Sequence, residues 1–186
     1  MHSGAKFFSV LNCAFVKWHW QGCTLAAISA SPKNSNNMHA SLLRFGINLW
    51  PPFLGAGIHV ETLAADYKSA VVSLRMGLFN RNNVGVHFGG SLFAMTDPFF
   101  MLMMQHNLGK AYVVWDSAAK IDFIKPGRGK VRAHLTITDE QINEIKAAAA
   151  SDNKVLRDFS AEVKDQHGDV VATVVKTLYI RKRRVQ

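Results

Sequence analysis

Hydrophobic and polar residues change period several times along the chain, and each change marks an element. HASLLRFGINLW, from Met38, has the spacing of a short amphipathic helix, and Pro51-Pro52 stops it. Gly55 and Gly57 lead into IHVETLAAD, a strand, and strict alternation from Tyr67 to Met76 predicts a second. A loop rich in Asn and Gly, LFNRNNVGVHFGG, follows. Then comes SLFAMTDPFFMLMMQHNLG, apolar on nearly every side, which predicts one long buried helix starting near Gly90. The remainder reads as strands over 111–124, 130–138, 155–163 and 170–179, with turns at 126–129 and 165–169. A short helix begun by Thr138 over 139–150 interrupts them. Two strands, an apolar helix and four more strands predict an α+β fold with an antiparallel sheet wrapped around one buried helix.

Composition refines this picture at the ends of the chain. Residues 1–57 hold four bases and no acid, and the last eleven residues hold five bases and no acid. The stretch between them balances 13 bases against 13 acids, so the whole +9 lies at the two ends. The basic end beginning at Ile180 reads as a solvated stop to the last strand. An alternative is attraction to phosphates, nucleic acid or an anionic surface, for which no recognition motif is present. Residues 1–37 read as a tail without fixed structure, set off by the polar SPKNSNN, with 38–182 as the folded domain and 183–186 as a basic end. The two cysteines, Cys13 and Cys23, read as free thiols. No apolar stretch is long enough for a transmembrane helix, and charged or polar residues interrupt any signal-peptide pattern near the start. A cytoplasmic location is the expectation, with Met38 a possible natural start.

The chemistry centres on two features. Gly89 and Gly90 at a helix start leave approachable backbone N–H groups, suited to an oxygen that gains negative charge during reaction. A glycine turn that merely admits the loop to the helix is the other reading. Asp97 is the one ionisable residue between Gly90 and His106, and a carboxylate on a buried helix needs partners or a function. It reads as a general base or nucleophile, or as the N-cap of a helix whose first residue is Pro98. On a continuous helix Gly89 and Asp97 stand about 12 Å apart. One small carbonyl cannot meet both from the same helix, so a reaction using both needs two subunits. The eight histidines do not cluster at metal spacing, and no metal or separate cofactor is expected.

The run NNVGVHFGGSLFAMTD resembles the helix-start motif of phenylacetyl-CoA-type hotdog thioesterases. NLWPPFLGAG, NRNNVGVHFGGSLFAMTDPFF, IDFIKPGRGKV and VVATVVKTLYIRK together are similar to a bacterial hotdog family known as domain of unknown function 4442, over roughly 38–182. The resemblance implies a hotdog fold and an acyl-CoA thioesterase working as a homodimer or homotetramer, with coenzyme A present only as part of the substrate. It implies that the Gly89 amide faces the thioester carbonyl and that Asp97 is the catalytic carboxylate from the neighbouring subunit. Asn82 would order the loop or the attacking water, with Gly90, His87 and Phe88 at the substrate. The motif carries His immediately before Gly-Gly, where this chain has Phe88; His87 stands one residue early, which turns it to the other side of an extended segment. Lys125, Arg128 and Lys130 in KPGRGK are candidate partners for coenzyme A phosphates. The alternative on the same scaffold is a non-catalytic acyl-CoA or fatty-acyl binding protein.

Overall fold

The structure is a computed structural model describing residues 39–78, 80–150 and 154–183. The chain divides into two units, 1–35 and 36–186, and the described residues all belong to the second. The tail expected over 1–37, with Cys13 and Cys23, lies outside them, as does Arg184 of the basic end.

The chain runs α1 (Ala40–Asn48), α2 (Pro51–Ala56), β1 (Ile58–Leu63), β2 (Ser69–Arg75), α3 (Gly89–Ala94), α4 (Phe99–Leu108), β3 (Tyr112–Phe123), β4 (Lys130–Thr136), α5 (Asp139–Ala148), β5 (Val155–Lys164) and β6 (Val170–Lys182). The six strands form one sheet in the order β1-β2-β4-β5-β6-β3, antiparallel at every pairing. Alternation sorts the side chains: Ala172, Val174, Leu178 and Ile180 of β6 and Val131, Ala133 and Leu135 of β4 are buried. All but Val174 pack in one core with Met95, Phe99, Phe100, Met103 and Met104, which makes this the α+β hotdog arrangement anticipated from the sequence.

Three local predictions change. Pro51-Pro52 does not only end the first helix. Proline fits the first helical positions, so the pair opens α2 after an extended Trp50. The long helix is split, because Pro98 lacks the N–H that Ala94 would have received. The chain tightens instead, with Thr96 N donating to Phe93 O at 3.1 Å and Asp97 N to Ala94 O at 3.2 Å, before α4 restarts. The last strand continues through Lys182, where it pairs with Tyr112, so Ile180–Lys182 belongs to the sheet and is not its solvated stop.

The two sheet edges are finished differently. Along β1, Asn48 acts as a surrogate strand: its side chain donates to Val60 O at 3.1 Å and accepts from Val60 N at 2.7 Å. Arg44 donates to Glu61 O at 2.7 Å beside it. Side chains of α1 therefore blunt that edge. The other edge is β3, twelve residues long and mostly exposed, and among the described residues nothing pairs with its outer side.

Glu61 occupies the irregularity in β1 and reaches Lys130 and Arg132 of β4. Burial alone would raise this carboxyl, but Lys130, Arg132 and Ser73 outweigh it and hold it at about 2. A carboxylate with a depressed value stabilises the fold above the ordinary glutamate value, and the contribution fades as pH falls through the folded one. Thermal midpoints measured from pH 4.5 down to 2 should therefore fall less steeply in Glu61→Gln than in the wild type.

Candidate active site

Asp97 lies in the turn between α3 and α4, and its carboxylate does not cap α4. The cap position falls on Pro98 and carries no side-chain hydrogen bond. The carboxylate instead accepts from Lys176 Nζ at 2.6 Å. Lys176 is 1% exposed, whereas the Asp97 side chain is 46% exposed, so a buried cation grips a carboxylate that solvent can reach. Taking an ammonium out of water is costly unless it is paired, and this one has two partners. The second is Asp116, with Oδ2 3.4 Å from the same Nζ. The Phe93 ring centroid also lies 5.6 Å from the ammonium, within cation–π range.

The strands explain how these groups meet. Lys176 occupies an inward position of β6 between Val174 and Leu178, where alternation calls for an apolar residue. On β3 the pairing shifts between Asp116 and Ala118, leaving Ser117 as an extra residue. That bulge puts Asp116, opposite Leu178, on the same face as Ala119, opposite Lys176. Burial pushes the Asp116 carboxyl up, Lys176 opposes the rise and Asp97 adds to it. Asp116 Oδ1 is buried with no partner among the described residues. Neither Lys176 nor Asp116 was singled out from the sequence; Lys176 was counted with the basic end, which its burial corrects.

The glycine loop forms the other half of the site. Asn82 Oδ1 accepts from the amides of Val84 and Val86, both at 3.1 Å, and so orders the loop. His87 is buried and donates from Nε2 to Gly129 O at 3.0 Å, pointing beneath the 126–129 turn. Burial lowers its basicity, with that carbonyl opposing, and Nδ1 is buried with no partner among the described residues. Phe88 points outward and is exposed. Its ring lies where a Cβ on Gly90 would stand, while a Cβ on Gly89 would come within 2.8 Å of the Phe123 ring. Two exposed aromatic rings thus lie beside the start of α3, and helix geometry leaves its first amides without intrahelical acceptors.

The basic candidates near 125–130 do not converge on one point. Lys125 bridges Asp165 and Asp169 in the β5–β6 turn, Lys130 pairs with Glu61, and Arg128 donates to Gly85 O at 3.1 Å. Asn80, also not anticipated, is buried. It receives the Gly77 amide at 2.6 Å and donates to Ala56 O and Arg75 O at 2.7 and 2.6 Å, tying α2 and the end of β2 to the loop.

Gly89 and Asp97 remain apart within one chain. Gly89 meets Phe123, whereas Asp97 meets Lys176, which is paired with Ala119 four residues earlier on β3. Four strand residues span about 13 Å.

Comparison with known proteins places this architecture in a class. The family described as Domain of unknown function (DUF4442) matches residues 39–180, and the chain belongs to it. A search of curated proteins gives no match. Among solved structures, the chain is similar to PA5026 of Pseudomonas aeruginosa, described as a protein of unknown function and probable thioesterase. The TM-score is 0.70 at 19% identity, covering 78% of this chain and 97% of that one. Thioesterase HI1161 of Haemophilus influenzae gives 0.59 at 12% identity, covering 79% and 93%. The Escherichia coli PaaI protein from the phenylacetic acid degradation operon gives 0.54 at 17% identity, covering 78% and 91%. At these identities the likeness establishes the hotdog fold. No described helix is long and apolar enough to cross a membrane.

Proposed function

We propose that the protein hydrolyses acyl thioesters, with acyl-CoA as the substrate class, at a site built by two subunits. The observation that carries this reading is the Asp97 carboxylate, accessible to substrate, unused as a helix cap and gripped by a buried ammonium. In this reading Asp97 takes a proton from water, whose oxygen bonds to the acyl carbon, or attacks that carbon itself to give an acyl–Asp97 anhydride that water then hydrolyses. The carbonyl oxygen gains charge against the Gly89 amide. As it collapses the C–S bond breaks and the departing thiolate takes up a proton, from the protonated Asp97 carboxyl in the first route and from solvent in the second. Asn82 acts by ordering the loop that presents this amide.

The open β3 edge supports the dimer. A long strand with an open outer edge is a template for pairing, and a second copy offers an identical edge about a two-fold axis. Antiparallel pairing of two β3 strands about a two-fold axis near Ile121 would set Phe123 of one beside Ala119 of the other, the position that pairs with Lys176. That brings the Gly89 amide of one subunit towards Asp97 of its partner, the arrangement the separation within one chain demands.

Thiol release from short, medium, long and aromatic acyl-CoAs tests the reading, with sedimentation of the same sample. Turnover of at least one class by a dimer or tetramer is expected. Saturable binding without release from any class would replace it with the acyl-CoA binding alternative.

A further inference from the structure

One buried ammonium faces two carboxylates, and hydrolysis as proposed uses only one of them. We propose that Lys176 is a positioning residue for the Asp97 carboxylate, and that Asp116 competes with Asp97 for the same ammonium. The inference rests on the hydrolytic reading for its kinetic consequence but not for its geometry.

The ammonium has little freedom to do anything else. It is 1% exposed, β5 pairs Phe159 with Lys176 on one side and β3 pairs Ala119 with it on the other. α3 contributes the Phe93 ring. The charged groups meeting it are therefore Asp97 from the α3–α4 turn at 2.6 Å and Asp116 from β3 at 3.4 Å. Beyond Asp116, Tyr179 and Arg181 border a surface cavity of about 390 Å³ that Asp116 also lines. On β5, Asp158 is engaged by the Thr177 hydroxyl at 2.6 Å.

The two carboxylates are unequal. Asp97 is half exposed, nearer and aligned for a charge-assisted hydrogen bond, whereas Asp116 is 14% exposed and farther away. Asp97 therefore takes the larger share of the ammonium. The bulge at Ser117 keeps Asp116 close enough to draw on the rest, and Lys176 and Asp97 act on the Asp116 carboxyl in opposite directions. A lysine that merely filled the core would have no bearing on where Asp97 stands. A positioning lysine fixes the place of that carboxylate, so its loss shows in kcat more than in KM.

Carboxyl carbon NMR titration of Asp116, in full-length wild type, Lys176→Met and Asp97→Asn, reads the shared ammonium without requiring turnover. Lys176 lowers the Asp116 carboxyl and Asp97 raises it. Removing the cation should therefore move the Asp116 midpoint up, and removing the Asp97 charge should move it down. With an active enzyme, Lys176→Met should lower kcat by about 100-fold and change KM far less, the cost of a misplaced reacting group. An Asp116 midpoint that stays put in Lys176→Met, or that stays put or rises in Asp97→Asn, would overturn the proposal. If Lys176→Met does not fold, Asp97→Asn decides alone: a downward shift supports the proposal and an unmoved midpoint overturns it. Midpoints that move as expected in a protein without thiol release would leave this inference standing and remove the hydrolytic reading.

Discussion

Asp97→Asn is expected to lower kcat for thioester hydrolysis by at least about 1000-fold, the upper range for loss of a positioned acid–base group. The substitution keeps size and shape, and the amide oxygen can still accept from Lys176 Nζ, which now stands at 2.6 Å. What it removes is the negative charge and the lone pair that could take a proton or form a bond. Because Asp97 caps no helix, no helix end loses a partner. Circular dichroism should therefore stay close to the wild type, and KM should change far less than kcat; the thermal midpoint falls, because the buried ammonium keeps only Asp116 as a charged partner. A variant that kept within tenfold of wild-type kcat would make the carboxylate a structural partner of Lys176 and nothing more.

Gly89→Pro is expected to cost about 100-fold to 1000-fold in kcat, the range for losing one oxyanion donor. The substitution suits this position. Phe88 before it is extended, at φ −64° and ψ 127°, as a residue preceding proline should be, and proline is favoured at the first position of a helix. The only backbone group lost is the N–H. The added ring atoms meet the tip of Phe123, an exposed side chain that can turn aside. A folded Gly89→Pro dimer with unchanged turnover would show that this amide does not face the reacting carbonyl.

Much of the fold was legible because strand alternation and turn residues act locally. Tyr67–Met76 and 130–138 were read nearly in register, and Thr138 starts its helix with the Gln141 side chain closing a capping box. The glycine loop was legible for the same reason: Asn82 and Gly85 make a turn from neighbouring residues alone. The candidate site was half legible. Asp97 stands out as one acid in an apolar run, but its partner lies 79 residues later. The signal for Lys176 was present, as the one charge in the inward series Ala172, Val174, Lys176, Leu178, Ile180. Asp116 gave no such signal. Counting back by twos from Ile121 and Ala119 puts Ser117 inward, and only the bulge, a product of pairing with β6, reverses that. The broken helix was foreseeable from Pro98, yet whether proline kinks a helix or ends it depends on packing around it.

The most direct test of a site shared between subunits is to mix Asp97→Asn and Gly89→Pro protomers and measure thiol release. Each homodimer lacks one half of both of its sites, whereas a mixed dimer keeps one complete site. Free exchange should therefore restore about a quarter of wild-type turnover, since half of the dimers carry one intact site of two. A mixture no more active than its two parents, with mixed dimers shown to form, would contradict the shared site.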